Sequence, residues 1–238
     1  MTYPTFDELT SAPEAIGVPL GEREPMTAVP HPLVLPDLTE AELTHDEEST
    51  DPLVPVQGER IQDLAAYWHT GMRGTVPHSL LRKSVLPRLV AAGASLPEDF
   101  GLAVFDAYRS LSLQRRLYAA AYSDPGLPPG FIAVPSENLL APTPHLTGGA
   151  VDLTLTWRGQ ALALGTSFDS FTERAAMVAL EEEAGPAREL RRLLRSTMES
   201  QGFVAYALEW WHFEYGTPRW AAVHETRPLF GQPMAVEE

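Results

Sequence analysis

The sequence predicts a single α+β domain at residues 59–238, built on a small central sheet flanked by helices, with an acidic, proline-rich extension before it at residues 1–58. Several short apolar stretches have the pattern of strands, and longer stretches have the three-to-four-residue periodicity of helices. The two patterns do not alternate in the regular βαβ order of a doubly wound sheet, which favours the α+β class. The 238 residues, 44% of them hydrophobic, suffice for one domain with a real core and some additional chain.

Residues 1–58 differ from the rest of the chain in charge and in proline content. They contain twelve acidic residues, one arginine and nine prolines, so they carry most of the formal charge of −15. Prolines at this density interrupt both helices and strands, and the few apolar residues recur with no period. We expect this segment to lie on the surface of the domain or to be partly disordered, most simply as a solvated tail.

In the first half of the domain, the pattern predicts three helices and one strand. A helix is expected over residues 59–69, and a second over 79–92 that Pro87 should kink or split. A third helix is expected over residues 111–122. Before it, the apolar run at 101–105 has the composition of a short strand.

In the second half, the pattern predicts a strand, two helices and an aromatic-rich end. Apolar and polar residues alternate over 150–157, as in a half-buried strand. A Ser-x-x-Glu capping box opens a predicted helix over 170–183, and a further helix is expected over 186–200. Residues 203–215 should form one or two final strands.

Composition excludes several classes of function. A surface that binds nucleic acid needs a basic stripe, and a charge of −15 argues against one, as it does against an anionic membrane surface. The sequence has no cysteine, so it forms no disulfides, and any metal must be bound through His, Asp or Glu. The first residues lack the basic and apolar regions of a signal peptide, and no apolar run is long enough to span a membrane. We therefore expect a cytoplasmic location.

Two segments, at 143–155 and 209–212, combine histidines with carboxylates. A catalytic zinc ion takes three protein ligands from such groups and leaves one position for water. His145, Asp152 and His212 could supply that set.

The spacing of these residues requires irregular backbone. The first two candidate ligands are seven residues apart, so they can converge only through a turn, which Gly148 and Gly149 permit. Glu209 precedes His212 by three positions, which also breaks the parity of a strand. A bulge or a strand end between them would re-aim one side chain, and such irregularities favour active sites.

A further motif places Asp106 and Arg109 at the end of the predicted strand at 101–105. Beside a zinc site, Arg109 could stabilise a developing oxyanion, and Asp106 would orient it. Each of these motifs also has a purely structural explanation. Arg109 could form an ordinary salt bridge at a helix start, and the histidines could belong to a turn and to an aromatic core strand.

In combination, these motifs resemble one known family, the D-alanyl-D-alanine dipeptidases of vancomycin-resistant bacteria and their relatives. The resemblance runs from about residue 101 to residue 215 and is thinner upstream. Its motifs, in family order, are Asp106-x-Tyr108-Arg109, His145-x-x-Gly148-x-Ala150-x-Asp152, Leu164-Gly165-Thr166-Ser167-Phe168-Asp169, Glu173-Arg174 and, after the helix at 191–200, Glu209-Trp210-Trp211-His212. The doubled tryptophan favours the dipeptidases over related cell-wall carboxypeptidases.

The resemblance implies a zinc-dependent dipeptidase that acts on D-alanyl-D-alanine or a similar dipeptide. Glu209 would accept a proton from a zinc-bound water and return it to the leaving amine. The implied zinc ligands, for one ion per chain, are His145, Asp152 and His212. Arg109 would face the transition state, while Asp169 and Thr143 would help to hold the substrate's free ammonium group.

This chain departs from its relatives at three positions. They usually have Ser at 143, Ser at 144 and Pro at 110, where this chain has Thr143, Pro144 and Ser110. Pro144 has no backbone N–H, so a substrate contact through that amide is lost and the substrate preference stays open.

Three alternatives remain from the sequence. One is a cell-wall D,D- or L,D-peptidase of the same fold, and another is a non-catalytic binding module stabilised by zinc. The third is an interaction protein that acts through its acidic extension. The sequence also leaves open whether identical chains associate into a homo-oligomer.

Overall fold

The computed structural model describes residues 4–19, 21–32, 34–36, 51–123, 127 and 132–233. The strands are β1 (Leu53–Pro55), β2 (Ile61–Asp63), β3 (Leu80–Arg82), β4 (Phe100–Asp106), β5 (Ala150–Trp157), β6 (Gln160–Ala161), β7 (Val204–Ala205) and β8 (His212–Glu214). The α-helices are α1 (Ala66–His69), α2 (Leu86–Ser95), α3 (Leu111–Ala121), α4 (Pro186–Ser200) and α5 (Pro218–Val223). Short 3₁₀ helices cover Phe6–Leu9, Pro13–Ile16, Pro144–Thr147 and Glu173–Ala175.

Six strands form one mixed sheet in the order β2-β4-β5-β8-β7, with β6 also paired to β5. The pair β2–β4 is parallel and the other neighbours are antiparallel. Strands β1 and β3 form a separate antiparallel pair. The architecture is thus a mixed domain of helices around a largely antiparallel sheet, in agreement with the predicted combination of a central sheet and flanking helices.

Strand β5 is the centre of this sheet, and all eight of its residues are buried. Helix α4 packs against it and against α2. Leu190, Leu194 and Met198, four residues apart, are fully buried on one face of α4. Burying each such side chain stabilises the fold by roughly 1.5–3 kcal/mol, so the sheet that carries β5 is rigidly held.

The structure confirms the elements whose local patterns were strongest. The strand predicted at 150–157 is β5, the one predicted at 101–105 is β4, and the helices predicted at 111–122 and 186–200 are α3 and α4. One detail of β5 is different, because its polar residues are also buried. Thr154, for example, donates its hydroxyl to the carbonyl of Leu162.

Of the two helices predicted before residue 100, the first is wrong and the second is confirmed only in part. Residues 59–69 contain strand β2 and only one turn of helix, because Ile61 pairs with Leu102 and this tertiary pairing overrides helix propensity. Residues 79–92 contain strand β3 and then the start of α2. Pro87 lies in the first turn of α2, where its missing N–H costs nothing, and so it starts the helix instead of kinking it.

The helix predicted over 170–183 is also wrong, since only Glu173–Ala175 is helical and its N-cap is Thr172. The backbone groups that would continue this helix are instead bonded to a segment that is distant in sequence. The amide of Met177 donates to the carbonyl of Ala207, and the carbonyl of Ala175 accepts from the amide of Trp210. These bonds hold the segment before β8 in place.

The described residues of the N-terminal extension lie against the domain. Phe6 packs edge-on against Tyr67 and Phe168. Residues 21–32, which we call the strap, lie along α4. Arg192 and Arg195 of α4 donate to the strap carbonyls of Arg23 and Thr27 at 2.8 and 2.6 Å. Residues 1–3, 20, 33 and 37–50 lie outside the described residues, and the division of the chain at residue 58 stays a prediction.

Candidate metal centre and active site

His145, Asp152 and His212 converge at one buried point, where one ligand atom from each lies within 4.8 Å of the others. His145 lies on the 3₁₀ helix Pro144–Thr147, Asp152 on β5 and His212 at the start of β8. Asp152 and His212 are direct cross-strand partners, so their side chains share one face of the sheet.

The glycines after His145 permit this convergence, as expected. Gly148 ends the 3₁₀ helix with φ at +73°, a conformation that favours glycine. A Cβ atom at Gly149 would clash with the carbonyl oxygen of Tyr215. This tight turn brings His145 back over the strand that carries Asp152.

Each histidine uses one ring nitrogen for support and aims the other at the shared point. His145 Nδ1 contacts the carbonyl of Ala107, and its Nε2 lies 3.2 Å from both Asp152 Oδ2 and His212 Nδ1. His212 Nδ1 lies 2.9 Å from Asp152 Oδ1, and its Nε2 lies 3.0 Å from Glu214 Oε1. Carbonyl and carboxylate partners of this kind fix the tautomers of metal-binding histidines.

The set fits a zinc ion in both chemistry and size. Two imidazole nitrogens and one carboxylate oxygen are ligands that catalytic zinc takes. Ligand atoms about 2.1 Å from a tetrahedral centre are roughly 3.4 Å apart, close to the 2.9–3.2 Å found here. No second group of three such residues meets the same distance within the described part of the chain.

The electrostatics of the site favour a cation. Burial opposes charge on His212, but its hydrogen bonds to Asp152 and Glu214 outweigh burial and raise its pKa to about 10. Burial likewise opposes charge on Asp152, yet the neighbouring histidines lower its pKa below the usual range. Asp152 is therefore ionised and His212 holds a proton in the absence of metal. A metal ion that binds there must displace that proton.

Arg109 lies beside the candidate metal ligands in the arrangement that the sequence suggests. Its Nε donates to Asp106 Oδ2 at 2.5 Å, and its Nη2 donates to Asp152 Oδ2 at 2.8 Å. All three side chains are buried. Asp106 pairs with Asp152 across β4 and β5, after an irregularity in the register of β4 that re-aims the strand end. Asp106 therefore orients Arg109 toward the candidate metal ligands.

Glu209 lies at the edge of the same point, with Oε2 4.0 Å from His212 Nδ1. A turn at Trp210–Trp211 separates it from β8, as its spacing to His212 predicts. Both tryptophans are fully buried and anchor this turn. Burial of the Glu209 carboxylate raises its pKa to about 8, which makes it a stronger base than an exposed glutamate.

Asp169 is linked to Arg109 through the hydroxyl of Tyr67. It has φ at +57° and accepts a hydrogen bond from the Tyr67 hydroxyl at 2.6 Å. Burial raises the pKa of the Asp169 carboxyl to about 7. The hydroxyl of Thr143 is buried and has no hydrogen-bond partner among the described residues, so a ligand could supply one.

These residues share one cavity. Its lining comprises Arg109, Gln114, Ile132, Ala133, Thr143, Pro144, His145, Asp152, Asp169, Phe171, Tyr206, Glu209, His212, Glu214 and Arg219. Asp106 lies outside this lining and bonds to Arg109, which is part of it.

Sequence reasoning missed Glu214 and Tyr67. Glu214 follows His212 by two positions on β8, so strand periodicity could have indicated that it shares the same face. No comparable signal marked Tyr67, because its contact with Asp169 joins segments 102 residues apart.

No helix among the described residues is both long and apolar enough to cross a membrane.

Comparisons with known proteins agree on one family. A family model described as D-ala-D-ala dipeptidase matches residues 73–228, more than half of the chain. A D-alanyl-D-alanine dipeptidase of Synechocystis sp. is 29% identical over 227 residues, covering 79% of this chain and 92% of that protein. One of Enterococcus faecium is 44% identical over 72 residues, covering 29% of this chain and 35% of that protein.

A solved structure of the vancomycin resistance D,D-dipeptidase VanXYg, in complex with a D-Ala-D-Ala phosphinate analogue, is 19% identical to this chain. It aligns with a TM-score of 0.36, over 63% of this chain and 57% of that one.

Proposed function

We propose that this chain, which belongs to the D-ala-D-ala dipeptidase family, is a zinc-dependent dipeptidase that hydrolyses D-alanyl-D-alanine or a similar dipeptide with a free N-terminus. One observation carries the proposal. The three metal-ligand candidates, an acid-base candidate and an arginine line a single cavity, so that every group a metallopeptidase needs is within reach of one substrate. A purely structural zinc site would need neither Glu209 nor Arg109.

His145, Asp152 and His212 would hold the zinc ion. When bound, zinc polarises a carbonyl group and lowers the pKa of a coordinated water toward 7. Glu209, 4.0 Å from His212 Nδ1, is placed to accept a proton from the attacking water and to deliver it to the leaving amine. The positive charge of the metal would lower the raised pKa of Glu209, so that it is ionised at neutral pH.

Arg109 would stabilise the negative charge that develops on the carbonyl oxygen. Its Nη2 already donates to Asp152 Oδ2, which places the guanidinium beside the metal ligands. Its bond to Asp106 holds the group in position before the reaction begins. Preorganised donors of this kind act most strongly in sites from which water is excluded.

Asp169 would pair with the substrate's ammonium group, and the free hydroxyl of Thr143 would accept or donate a further hydrogen bond. An N-acetylated peptide offers no cation to Asp169, so the buried carboxylate would lose its partner. That loss is costly, and it would restrict the enzyme to substrates with a free N-terminus. We also infer a cytoplasmic location for this activity.

The test is hydrolysis of D-Ala-D-Ala, L-Ala-L-Ala and N-acetyl-D-Ala-D-Ala by the purified protein, with and without a chelator and with zinc restored. We expect D-Ala-D-Ala to be cleaved, the acetylated peptide to be rejected, and chelation to abolish turnover reversibly. Faster cleavage of larger cell-wall peptides would favour the alternative of a D,D- or L,D-peptidase. Zinc binding without any hydrolysis would favour a non-catalytic binding module.

A further inference from the structure

We infer that Arg219 binds the C-terminal carboxylate of the substrate and thereby selects peptides that end at the second residue. This inference rests on the proposed function. It adds recognition of the substrate's C-terminus to the recognition of its N-terminus.

Arg219 is fixed on the cavity wall by β8 and α5. Thr217 caps α5 by accepting from the amide of Trp220 and donates its own hydroxyl to Glu214, so the first turn of the helix, which carries Arg219, is tied to β8. Arg219 Nε donates to Glu214 Oε1 at 2.8 Å, and its guanidinium lies 4.3 Å from the centre of the Tyr206 ring. The side chain is 13% exposed and lines the same cavity as the metal ligands.

Part of the guanidinium remains available. The bond to Glu214 uses one of its five N–H donors. Neither terminal nitrogen, Nη1 or Nη2, has a hydrogen-bond partner within the part of the chain that the structure describes. Arg109, the other arginine of the cavity, is more fully occupied, because its Nε donates to Asp106 and its Nη2 to Asp152. A carboxylate is the ligand that a free guanidinium fork binds best.

Arg219 and Asp169 line the same cavity and are connected to Asp152 through different residues. From Asp152, one series of contacts runs through Arg109 and Tyr67 to Asp169. Another runs from Asp152 through His212 and Glu214 to Arg219. The cavity that holds the candidate metal ligands thus offers a carboxylate, Asp169, and a separate guanidinium, Arg219. A zwitterionic dipeptide has an ammonium group and a carboxylate on either side of its one peptide bond, so it could pair with both.

This arrangement gives a physical limit on substrate length. A residue added after the second one moves the carboxylate away from Arg219 and puts a neutral amide there. The guanidinium would then lose a charged partner, and sites built around such a partner discriminate strongly against analogues that lack it.

The test compares D-Ala-D-Ala with its C-terminal amide, D-Ala-D-alaninamide, on wild type and on Arg219→Met. We expect wild type to prefer the free acid by about 10²-fold in kcat/KM. Arg219→Met should lose about that factor for the acid, mainly through KM, and less than about threefold for the amide. Arg219→Lys should recover only part of the preference, because lysine lacks the fork. Arg227→Met, at an exposed arginine outside the cavity lining, is the matched control.

A merely structural role gives a different result. If Arg219 acts only by holding Glu214 and hence His212, its loss should lower zinc content and reduce turnover of acid and amide equally, and this would overturn the inference. Calorimetric binding of both ligands to zinc-loaded Glu209→Gln gives a readout without turnover, and the acid should bind more tightly only while Arg219 is present. Equal cleavage of acid and amide by wild type would overturn the role of Arg219 and leave the dipeptidase standing. Cleavage of neither by the zinc-loaded protein would overturn both.

Discussion

Asp152 and His212 lie directly opposite each other on β5 and β8, with Asp152 Oδ1 2.9 Å from His212 Nδ1. Two of the three candidate ligands are thus held by sheet hydrogen bonds and not by a loop. Only His145 depends on a turn for its position. The geometry of the site is therefore set by the most buried part of the fold, and substitutions in the site can be interpreted without large backbone changes.

Removing either histidine should remove the metal. We expect His145→Ala and His212→Ala each to lose bound zinc, because two protein ligands do not replace the three of a catalytic site. Elemental analysis of the purified proteins measures this, and circular dichroism checks the fold. His69→Ala, at an exposed histidine, is the control and should keep one zinc per chain. Full zinc in a folded His145→Ala or His212→Ala protein would refute the assignment.

Glu214 should strengthen zinc binding through its contact with His212. Its Oε1 lies 3.0 Å from His212 Nε2, and its carboxylate also accepts from Thr217. Glu214→Gln keeps the shape but removes the charge that makes the imidazole a better ligand, so zinc should bind on the order of 10- to 100-fold more weakly. Competition with a chelator of known affinity measures the change. Exposed Glu182→Gln serves as control, and equal zinc affinity in both variants would contradict the role.

Glu209→Gln should retain zinc and lose turnover. An amide cannot accept the proton of the attacking water, and loss of a general base costs on the order of 10²–10⁴-fold in kcat. Steady-state kinetics on D-Ala-D-Ala, with zinc measured on the same sample, gives the answer. Near-normal kcat from a zinc-loaded variant would exclude Glu209 as the base.

Arg109→Lys should separate transition-state stabilisation from folding. Lysine keeps the charge that Asp106 and Asp152 require, but it cannot donate to both carboxylates and to the substrate at once. We expect kcat to fall by roughly 10²–10³-fold, with a smaller change in KM. A variant that is fully folded, as judged by its thermal transition, and retains wild-type kcat would rule this role out.

Asp169→Asn should weaken recognition of the substrate's N-terminus. Asparagine has the same shape and tolerates the positive φ at this position, but it cannot form an ion pair with the ammonium group. KM for D-Ala-D-Ala should rise, and discrimination against N-acetyl-D-Ala-D-Ala should decrease. If the variant rejects the acetylated peptide as strongly as wild type, Asp169 does not bind the ammonium group.

The same variant has a predicted pH dependence of stability in the metal-free protein. The pKa of Asp169 is raised to about 7 by burial, so at mildly acidic pH the folded state holds a proton that the unfolded state has released. This contribution to stability is present at low pH and is lost as pH rises through about 7. Asp169→Asn removes the titration, so its Tm relative to wild type should be higher at pH 8 than at pH 5. A difference in Tm between the two proteins that is the same at pH 5 and at pH 8 would contradict this titration.

Local sequence patterns predicted the parts of the fold that local forces determine. The alternation of β5 and the amphipathic face of α4 are properties of short windows, and both elements were located within one or two residues. The helices expected at 59–69 and 170–183 fail for the opposite reason. Ile61, Met177 and Ala175 bond to segments distant in sequence, and no local pattern records such partners.

In the candidate site, too, local patterns predicted some features, while others depend on contacts between distant segments. The turn glycines and the spacing of Glu209 and His212 indicated where the backbone is irregular. The register that aligns Asp106, Asp152 and His212 across three strands, by contrast, is a property of the assembled sheet. Tyr67 reaches Asp169 only because α1 packs against β4, a contact that follows from the fold and not from residues near Tyr67.

The strap bonds to a helix that is synthesised well after it. Arg23 and Thr27 bond to residues 166–169 positions later on α4. At ribosomal rates of about 5–20 residues per second, the strap must wait roughly 10–30 s for the helix that anchors it. Its contacts are therefore among those of highest sequence separation, and closing so long a loop has a large entropic cost. An acidic, proline-rich segment suits this delay, because it neither collapses nor pairs with other strands while it waits. We therefore expect the strap to dock along α4 late in folding, after the core it covers has formed.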